Sequence, residues 1–442
     1  MSEQPVPSSR LLAYGVPAVG LSYLLFLVQF YFLNFATDVL LLEAGVVALL
    51  FAIAKLWNAL LDPLVGSWSD RTRSRLGRRR PYLYGALPLL ALGFAPLWAA
   101  PRGMSQGELL VWVAVALLVF YTAVTLYMLP HLALGAELST DSHQRTRGFG
   151  VRQGSFTVGI LASFGGMQLV MNAADPRATA AALAVPSALL AVALLAVTPL
   201  AVSEASAAER SGGTGLRAGL RDVWANQPAR VLLFVTFIES LGLGAVGVMA
   251  PYVARYLLGR PEWVAVLPAG YVVASVLSIP VWVRVSKSFG KRETWLASMW
   301  LAAIAFGGMM FVGRDALTAL MVLLVLAGAA MGSGAVLSAS ILADLVDVDE
   351  GRTGERKEGV YSAAMQFVMK LGATLALAAS GLVLSAVGFV PNAEQTPASL
   401  LGIRVLFAGM PCAGFVIGGA LYWRWLRQPD PGAAMAPLPA RE

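Results

Sequence analysis

The chain has 442 residues, of which 58% are hydrophobic and 13% charged, with a mean hydropathy of +0.71 and a formal net charge of +7. Soluble domains carry roughly 25% charged residues, so an ordinary water-facing surface is excluded and the outside must meet lipid. The positive balance implies no nucleic-acid partner, because cytoplasmic loops of membrane proteins are rich in Lys and Arg.

Apolar stretches long enough to span a bilayer fall at 11–36, 45–68, 81–101, 108–134, 150–172, 181–202, 231–257, 263–284, 294–313, 316–345, 361–387 and 400–424. They are long and unbroken, which argues for helices over the short alternating segments of a barrel. The expected fold is therefore an all-α membrane protein of twelve transmembrane helices. The segment before the first run is short and polar with no small-residue cleavage site after it, so a retained helix is expected. Cys412 is alone, which excludes a disulfide framework, and His131 and His143 cannot build a metal site by themselves.

An even number of spans puts both termini on one side. Loops on that side hold 23 basic residues and the opposite loops 5 (Arg102, Arg177, Arg255, Arg260 and Arg314). The positive-inside rule then places both termini in the cytoplasm. Residues 204–230 form the longest polar connection, and Leu216, Leu220, Val223 and Trp224 share a face there, which suggests a short surface helix. Two six-helix bundles, 1–203 and 231–427, follow, with a disordered Pro- and Ala-rich tail at 428–442. Pro63 before Gly77-Arg78-Arg79 and Pro280 before Gly290-Lys291-Arg292 suggest a duplication, each proline ending its helix.

The loop after the second helix carries the most information. It reads Asp62-Pro63-Leu64-Val65-Gly66, then Asp70-Arg71-Thr72-Arg73-Ser74-Arg75-Leu76-Gly77-Arg78-Arg79-Arg80. Gly66 permits close helix approach, Asp70 is placed to pair with an arginine or cap a helix, and the arginines can bridge carboxylates and phosphate headgroups. A bare topology signal is the alternative. This loop resembles the signature loop of the major facilitator superfamily, a cytoplasmic latch in that family. The inserted Thr-Arg-Ser-Arg and Trp57…Asp62-Pro63 resemble its glycoside–pentoside–hexuronide:cation symporter branch, which includes the melibiose permeases. Ala343-Asp344-Leu345-Val346-Asp347, Gly388-Phe389-Val390-Pro391-Asn392-Ala393-Glu394-Gln395 and Leu400-Leu401-Gly402 are similar to family segments as well. The resemblance runs from the first helix to the twelfth. It implies gate roles for Gly66, Asp70, Arg71, Gly77, Arg78 and Arg79.

Lys55, Asp62, Glu239 and Lys370 lie inside apolar runs. Each charge at mid-membrane costs roughly 2.5–3.5 kcal/mol on insertion scales, so each needs a partner, a wet cavity or a function. Lys55, Asn58 and Asp62 are spaced i, i+3, i+7 and share a helix face. A carboxylate facing a cavity there can take a proton or coordinate a small cation. A static Asp62–Lys55 or Asp62–Arg152 pair is the competing reading. Glu239 either pairs with Lys370 or Arg152 or sits at a watered edge. Tyr23, Phe26, Gln29, Phe30 and Phe32 line a cavity or form a lipid-facing stripe. Gly332 and Gly334 are expected to serve close packing.

The resemblance refines these assignments. Asp62 matches one of two second-helix carboxylates of the melibiose permeases' cation site, and Asn58 replaces the other. A fourth-helix carboxylate is replaced by Met128 while Thr125 is retained. Ser22 stands where the family has a sugar-clamping acid, and Leu132 where it has a stacking tryptophan. Arg152 and Lys370 match positions near substrate, and Gln366, one turn before the lysine, is expected to bind substrate with them. With one carboxylate remaining, hard-cation ligation is thinned, which favours H+ over Na+ as the coupling ion. No other cofactor and no structural metal are implied, and the protein is expected to act as a monomer in a bacterial inner membrane. A sugar or glycoside is the implied solute; a lysophospholipid or other anionic amphiphile is the alternative, given the related lysophospholipid symporters. No nucleophile–base cluster supports an enzyme. A non-transporting sensor is the remaining different class.

Overall fold

The structure, a computed structural model, describes residues 6–136, 142–202, 223–224, 226–313, 316–353 and 358–426. Most of the linker at 204–230, including Leu216 and Leu220, and the tail at 428–442 lie outside the described residues.

Twelve long helices follow one another. They are α1 (Ser8–Asp38), α2 (Ala44–Arg71), α3 (Arg80–Trp98), α4 (Gln106–Ala136), α5 (Ser142–Met171), α6 (Pro176–Ala201), α7 (Gln227–Leu257), α8 (Val266–Phe289), α9 (Lys291–Met309), α10 (Leu317–Thr353), α11 (Glu358–Ala386) and α12 (Pro397–Leu426). Each matches a predicted span to within several residues. Eleven are long and apolar enough to cross a bilayer by that measure alone; α9 opens on Lys291, Arg292 and Glu293, which lowers its average. Large apolar side chains such as Leu200, Leu277 and Ile304 stand exposed on outer faces, as lipid contact requires and water would punish.

Two expectations about proline fail. Pro63 lies inside α2 and Pro280 inside α8, so neither ends its helix. In hydrocarbon an interrupted helix would leave several backbone groups unsatisfied, whereas a continuous one loses a single bond that neighbours can compensate.

The chain divides into two compact units. One comprises Met1–Glu209, Gly247–Val266 and Leu377–Gly402; the other comprises Arg210–Val246, Leu267–Ala376 and Ile403–Glu442. The end segments of α7 and α11 thus belong with α1–α6. In the first unit α3 packs on α4 and α6, α1 on α5 and α6, and α2 on α4. Packing between apolar helices in lipid relies on close approach, and glycines supply it at the contact points. A Cβ at Gly93 would strike the Phe120 backbone, one at Gly159 the Val19 carbonyl and Ser22, and one at Gly381 the backbone of Ala44. In the second unit Gly332 meets the Ser275 carbonyl on α8, as the sequence suggested.

Wide turns interrupt three helices, at Leu27–Tyr31 in α1, Val253–Leu257 in α7 and Val405–Gly409 in α12. Such turns often mark functional positions. The first holds Gln29 and Phe30; the second holds Arg255 and Tyr256.

Candidate functional site

Three of the predicted cation-site residues meet in one place. Asn58 and Asp62 stand one turn apart on α2, and Thr125 faces them from α4. Asn58 Nδ2 donates to the Tyr121 carbonyl at 3.1 Å and to Thr125 Oγ1, and Thr125 Oγ1 donates to Asp62 Oδ1 at 3.4 Å. Asn58 and Thr125 are buried and Asp62 is half-buried. The hydroxyl accepts from the amide and passes its own proton toward the carboxylate, so the three form a directed series across two helices. Lys55 shares the helix face without joining this series. It makes no ion pair among the described residues, and neither does Arg152. The static Asp62–Lys55 and Asp62–Arg152 pairs are therefore not formed.

Arg152 is buried on α5, and its guanidinium carbon lies 5.9 Å above the Phe156 ring. Phe156 meets Phe26 edge-on at 5.8 Å, Phe26 meets Phe30 at 4.9 Å, and Phe30 stacks on Phe164 at 6.3 Å. The α1 aromatics thus build a wall against α5 that ends on a cation. Gln29, half-buried, stands beside Phe30 in the wide turn. Such a wall offers ring faces and a charge, the combination that holds sugar rings and anionic groups.

Ser22 has a different employment. It is fully buried, and its hydroxyl is shared between the Ala18 carbonyl at 2.7 Å and the Phe156 carbonyl at 2.8 Å. It ties α1 to α5 at the Gly159 contact, and in this conformation it offers nothing to a solute.

A cluster that the sequence reading passed over lies near Arg152. His131 on α4 stacks on Tyr14 of α1 at 4.6 Å and on Tyr127 at 5.4 Å, and its Nε2 lies 2.9 Å from the Tyr14 carbonyl. A carbonyl only accepts, so Nε2 carries the hydrogen and Nδ1 is left as a bare acceptor. His131 Nδ1, the Tyr14 hydroxyl and Arg152 Nε are buried without a hydrogen-bond partner among the described residues. The spacing of Tyr127 and His131, one helical turn on α4, was the available signal.

In the second unit Lys370 and Gln366 lie one turn apart on α11, Lys370 half-buried and Gln366 exposed. Glu239 on α7 is buried, and among the described residues it makes neither a hydrogen bond nor an ion pair. The pairing with Lys370 or Arg152 is not formed.

The loop between α2 and α3 is locally ordered. Gly77 turns the chain with a φ of +104°, which favours glycine, and Ser74 Oγ donates to the Gly77 carbonyl at 2.6 Å. Arg71 closes α2, Arg79 is buried at the entrance of α3, and Arg80 Nε donates to the Pro199 carbonyl of α6 at 2.8 Å. Arg78 stands between these anchors. Gly66 meets no heavy atom within 4 Å of an added Cβ among the described residues, so the close approach expected of it is not made in this conformation. The Asp70 side chain lies outside the described residues. In the second unit Lys291, at the start of α9, bonds both carboxylate oxygens of Asp344 at 2.8 and 2.9 Å.

A densely connected polar group stands at the other end of the first unit. The Asp38 side chain is fully buried; its Oδ2 accepts from Arg255 Nη1 at 2.7 Å, Tyr256 at 2.6 Å and Asn34 at 3.0 Å, and its Oδ1 accepts from Thr37 at 3.0 Å. Asn392 completes the group: Nδ2 donates to the Asp38 carbonyl at 2.7 Å and its backbone N–H to the Tyr256 hydroxyl at 3.1 Å. Its φ of +56° lies in the left-handed region that asparagine tolerates, a physical reason for asparagine in that loop segment. The predicted first helix stopped at residue 36 and Arg255 was counted as a loop charge, so this latch was missed. The Asn34, Thr37, Asp38 spacing was its signal.

Residues 13–426 match the family described as MFS/sugar transport protein. The isoprimeverose transporter of Lactiplantibacillus pentosus is 27% identical over 93% of this chain and 87% of its own length. A putative sulfoquinovose importer of Escherichia coli (strain K12) is 26% identical over 92% and 88%. Among solved structures, a D-xylose-proton symporter superposes with a TM-score of 0.64 at 15% identity, covering 94% of this chain and 97% of that one. A bacterial homologue of the lysosomal transporter Spinster gives 0.70 at 16%, over 96% and 97%. The identities to solved structures speak for the fold; the match over nearly the whole chain speaks for more. The chain is a multi-pass membrane transporter, not an enzyme, and belongs to the MFS/sugar transport family of the major facilitator superfamily.

Proposed function

We propose that this protein couples the inward movement of a sugar or glycoside to a cation gradient across a bacterial inner membrane, with H+ as the ion and Asp62 as its carrier. The observation that carries this is the Asn58–Thr125–Asp62 series. A half-buried carboxylate that receives a long bond from a hydroxyl can exchange that bond for a proton or a cation. A single carboxylate in the group is fewer than hard cations favour. Sugar as the solute is supported by the relatives, one called an isoprimeverose transporter and others sulfoquinovose importers.

Arg152, Phe26, Gln29 and Phe30 form a solute-binding wall in the first unit, and Lys370 and Gln366 on α11 are solute-binding residues of the second. The monomer works by alternating access, with bundles 1–203 and 231–427 as the moving bodies. Cytoplasmic termini put the Asp38 latch outside and the Gly66, Asp70, Arg71, Gly77, Arg78 and Arg79 segment inside. The two then open in alternation.

The test is uptake into proteoliposomes of labelled isoprimeverose, xylose and sulfoquinovose, with an imposed H+ or Na+ gradient. Asp62→Asn should abolish gradient-driven accumulation and leave solute exchange measurable. Equal loss of both would make Asp62 a solute contact or a structural residue. A second reading is a sugar bearing a carboxylate or sulfonate. It is favoured by Arg152, a buried cation with no ion pair among the described residues.

A further inference from the structure

Glu239 has no role in the reading above, yet its surroundings are unusual. It lies in the second unit on α7, 7% exposed, with no hydrogen bond and no ion pair among the described residues. Two phenols, Tyr271 of α8 and Tyr422 of α12, lie within electrostatic reach of it. Alpha-11 approaches α7 through Gly372, which faces Phe237 and Ser240, and its Lys370 makes no pair with Glu239. Alpha-12 approaches through Gly414 at Ile238 and Pro411 at Gly242.

Two hydroxyls nearby are unsatisfied. Thr236 Oγ1, one turn before Glu239 on the same face, and the Tyr422 hydroxyl are buried with no hydrogen-bond partner among the described residues. An ionised carboxylate buried here without a counter-charge among the described residues is strongly unfavourable. A neutral carboxyl fits, since it brings both a donor and an acceptor to a place where hydroxyls lack partners.

We propose that Glu239 is a second proton-binding site of this transporter, in the other unit from Asp62, holding its proton in this conformation and exchanging it with water when the conformation changes. The step is a simple one: the carboxyl O–H breaks, the electron pair stays on the carboxylate and the proton passes to water. A group with different hydration in two conformations biases the equilibrium between them as the proton binds or leaves. Its use in transport rests on the symport reading; its protonation does not.

Infrared spectroscopy of the purified protein in liposomes tests the protonation without any solute. At neutral pH the carbonyl stretch of a protonated carboxyl should appear in the wild type and in Asp62→Asn, be lost in Glu239→Gln, and return shifted in Glu239→Asp. The same band in Glu239→Gln as in the wild type would overturn the proposal. Solute exchange in proteoliposomes, with labelled xylose and isoprimeverose as probes, then tests the coupling. Wild-type exchange should vary with pH across the titration of Glu239, and Glu239→Gln should stay at the acid-side rate. Identical profiles would remove Glu239 from the cycle. A failure of the sugar reading would show as no exchange in the wild type, while the infrared result would still decide the protonation.

Discussion

Asp38 and Arg255 form a salt bridge of 2.7 Å in which the carboxylate is wholly buried and the guanidinium only 22% exposed. The bridge joins the end of α1 to the wide turn of α7, and Tyr256, Asn34, Thr37 and Asn392 close around it. Its strength depends on all partners arriving together.

Removing one partner of a buried pair costs on the order of 3–5 kcal/mol, since the other charge is stranded. Asp38→Ala and Arg255→Ala should therefore each lower the melting temperature of the purified protein. The double variant should lose less than the sum of the two single ones, with a coupling of roughly 0.5–3 kcal/mol. Additive losses would show that the two side chains act independently.

Thr125 should matter through its hydroxyl alone. Thr125→Val keeps the shape and deletes a long bond to the carboxylate, worth less than the roughly 1.5–3 kcal/mol of a well-formed bond to a charged group. The ion concentration giving half-maximal uptake should shift by up to about tenfold, since 1.4 kcal/mol is a factor of 10. Thr125→Ser should restore it. Ion titrations of uptake in proteoliposomes read this directly.

Arg152→Gln should discriminate between solutes. If the solute bears an anionic group, losing the partner of a buried charge pair costs about 2–5 kcal/mol of binding. Neutral sugars should lose far less. Isothermal titration with sulfoquinovose and with xylose separates the two cases.

Gly159 is where α5 comes closest to α1. A side chain there would strike the Val19 carbonyl and Ser22, and overpacking of this kind costs typically 1–3 kcal/mol. Gly159→Val should lower thermal stability and expression, whereas Gly150→Ala, where an added Cβ meets nothing within 4 Å among the described residues, should leave both unchanged.

The sequence by itself determined the number and approximate limits of the helices. Apolar runs of spanning length admit one solution in lipid, a hydrogen-bonded helix. It also put Asn58 and Asp62 on one helix face by their spacing, and the family resemblance added Thr125. What it could not decide was which polar residues meet. Lys55 shares the face of Asp62 by spacing and still stays out of its hydrogen-bonded series. Ser22, at a position the family resemblance assigns to sugar, is taken up by helix packing. Glu239 finds no cation, and Asp38 finds one 217 positions away. The physical reason is the same in each case. Helical period places residues on a face, but close approach at glycines and wide turns in α1 and α7 decide which faces touch, and those depend on the packed structure as a whole.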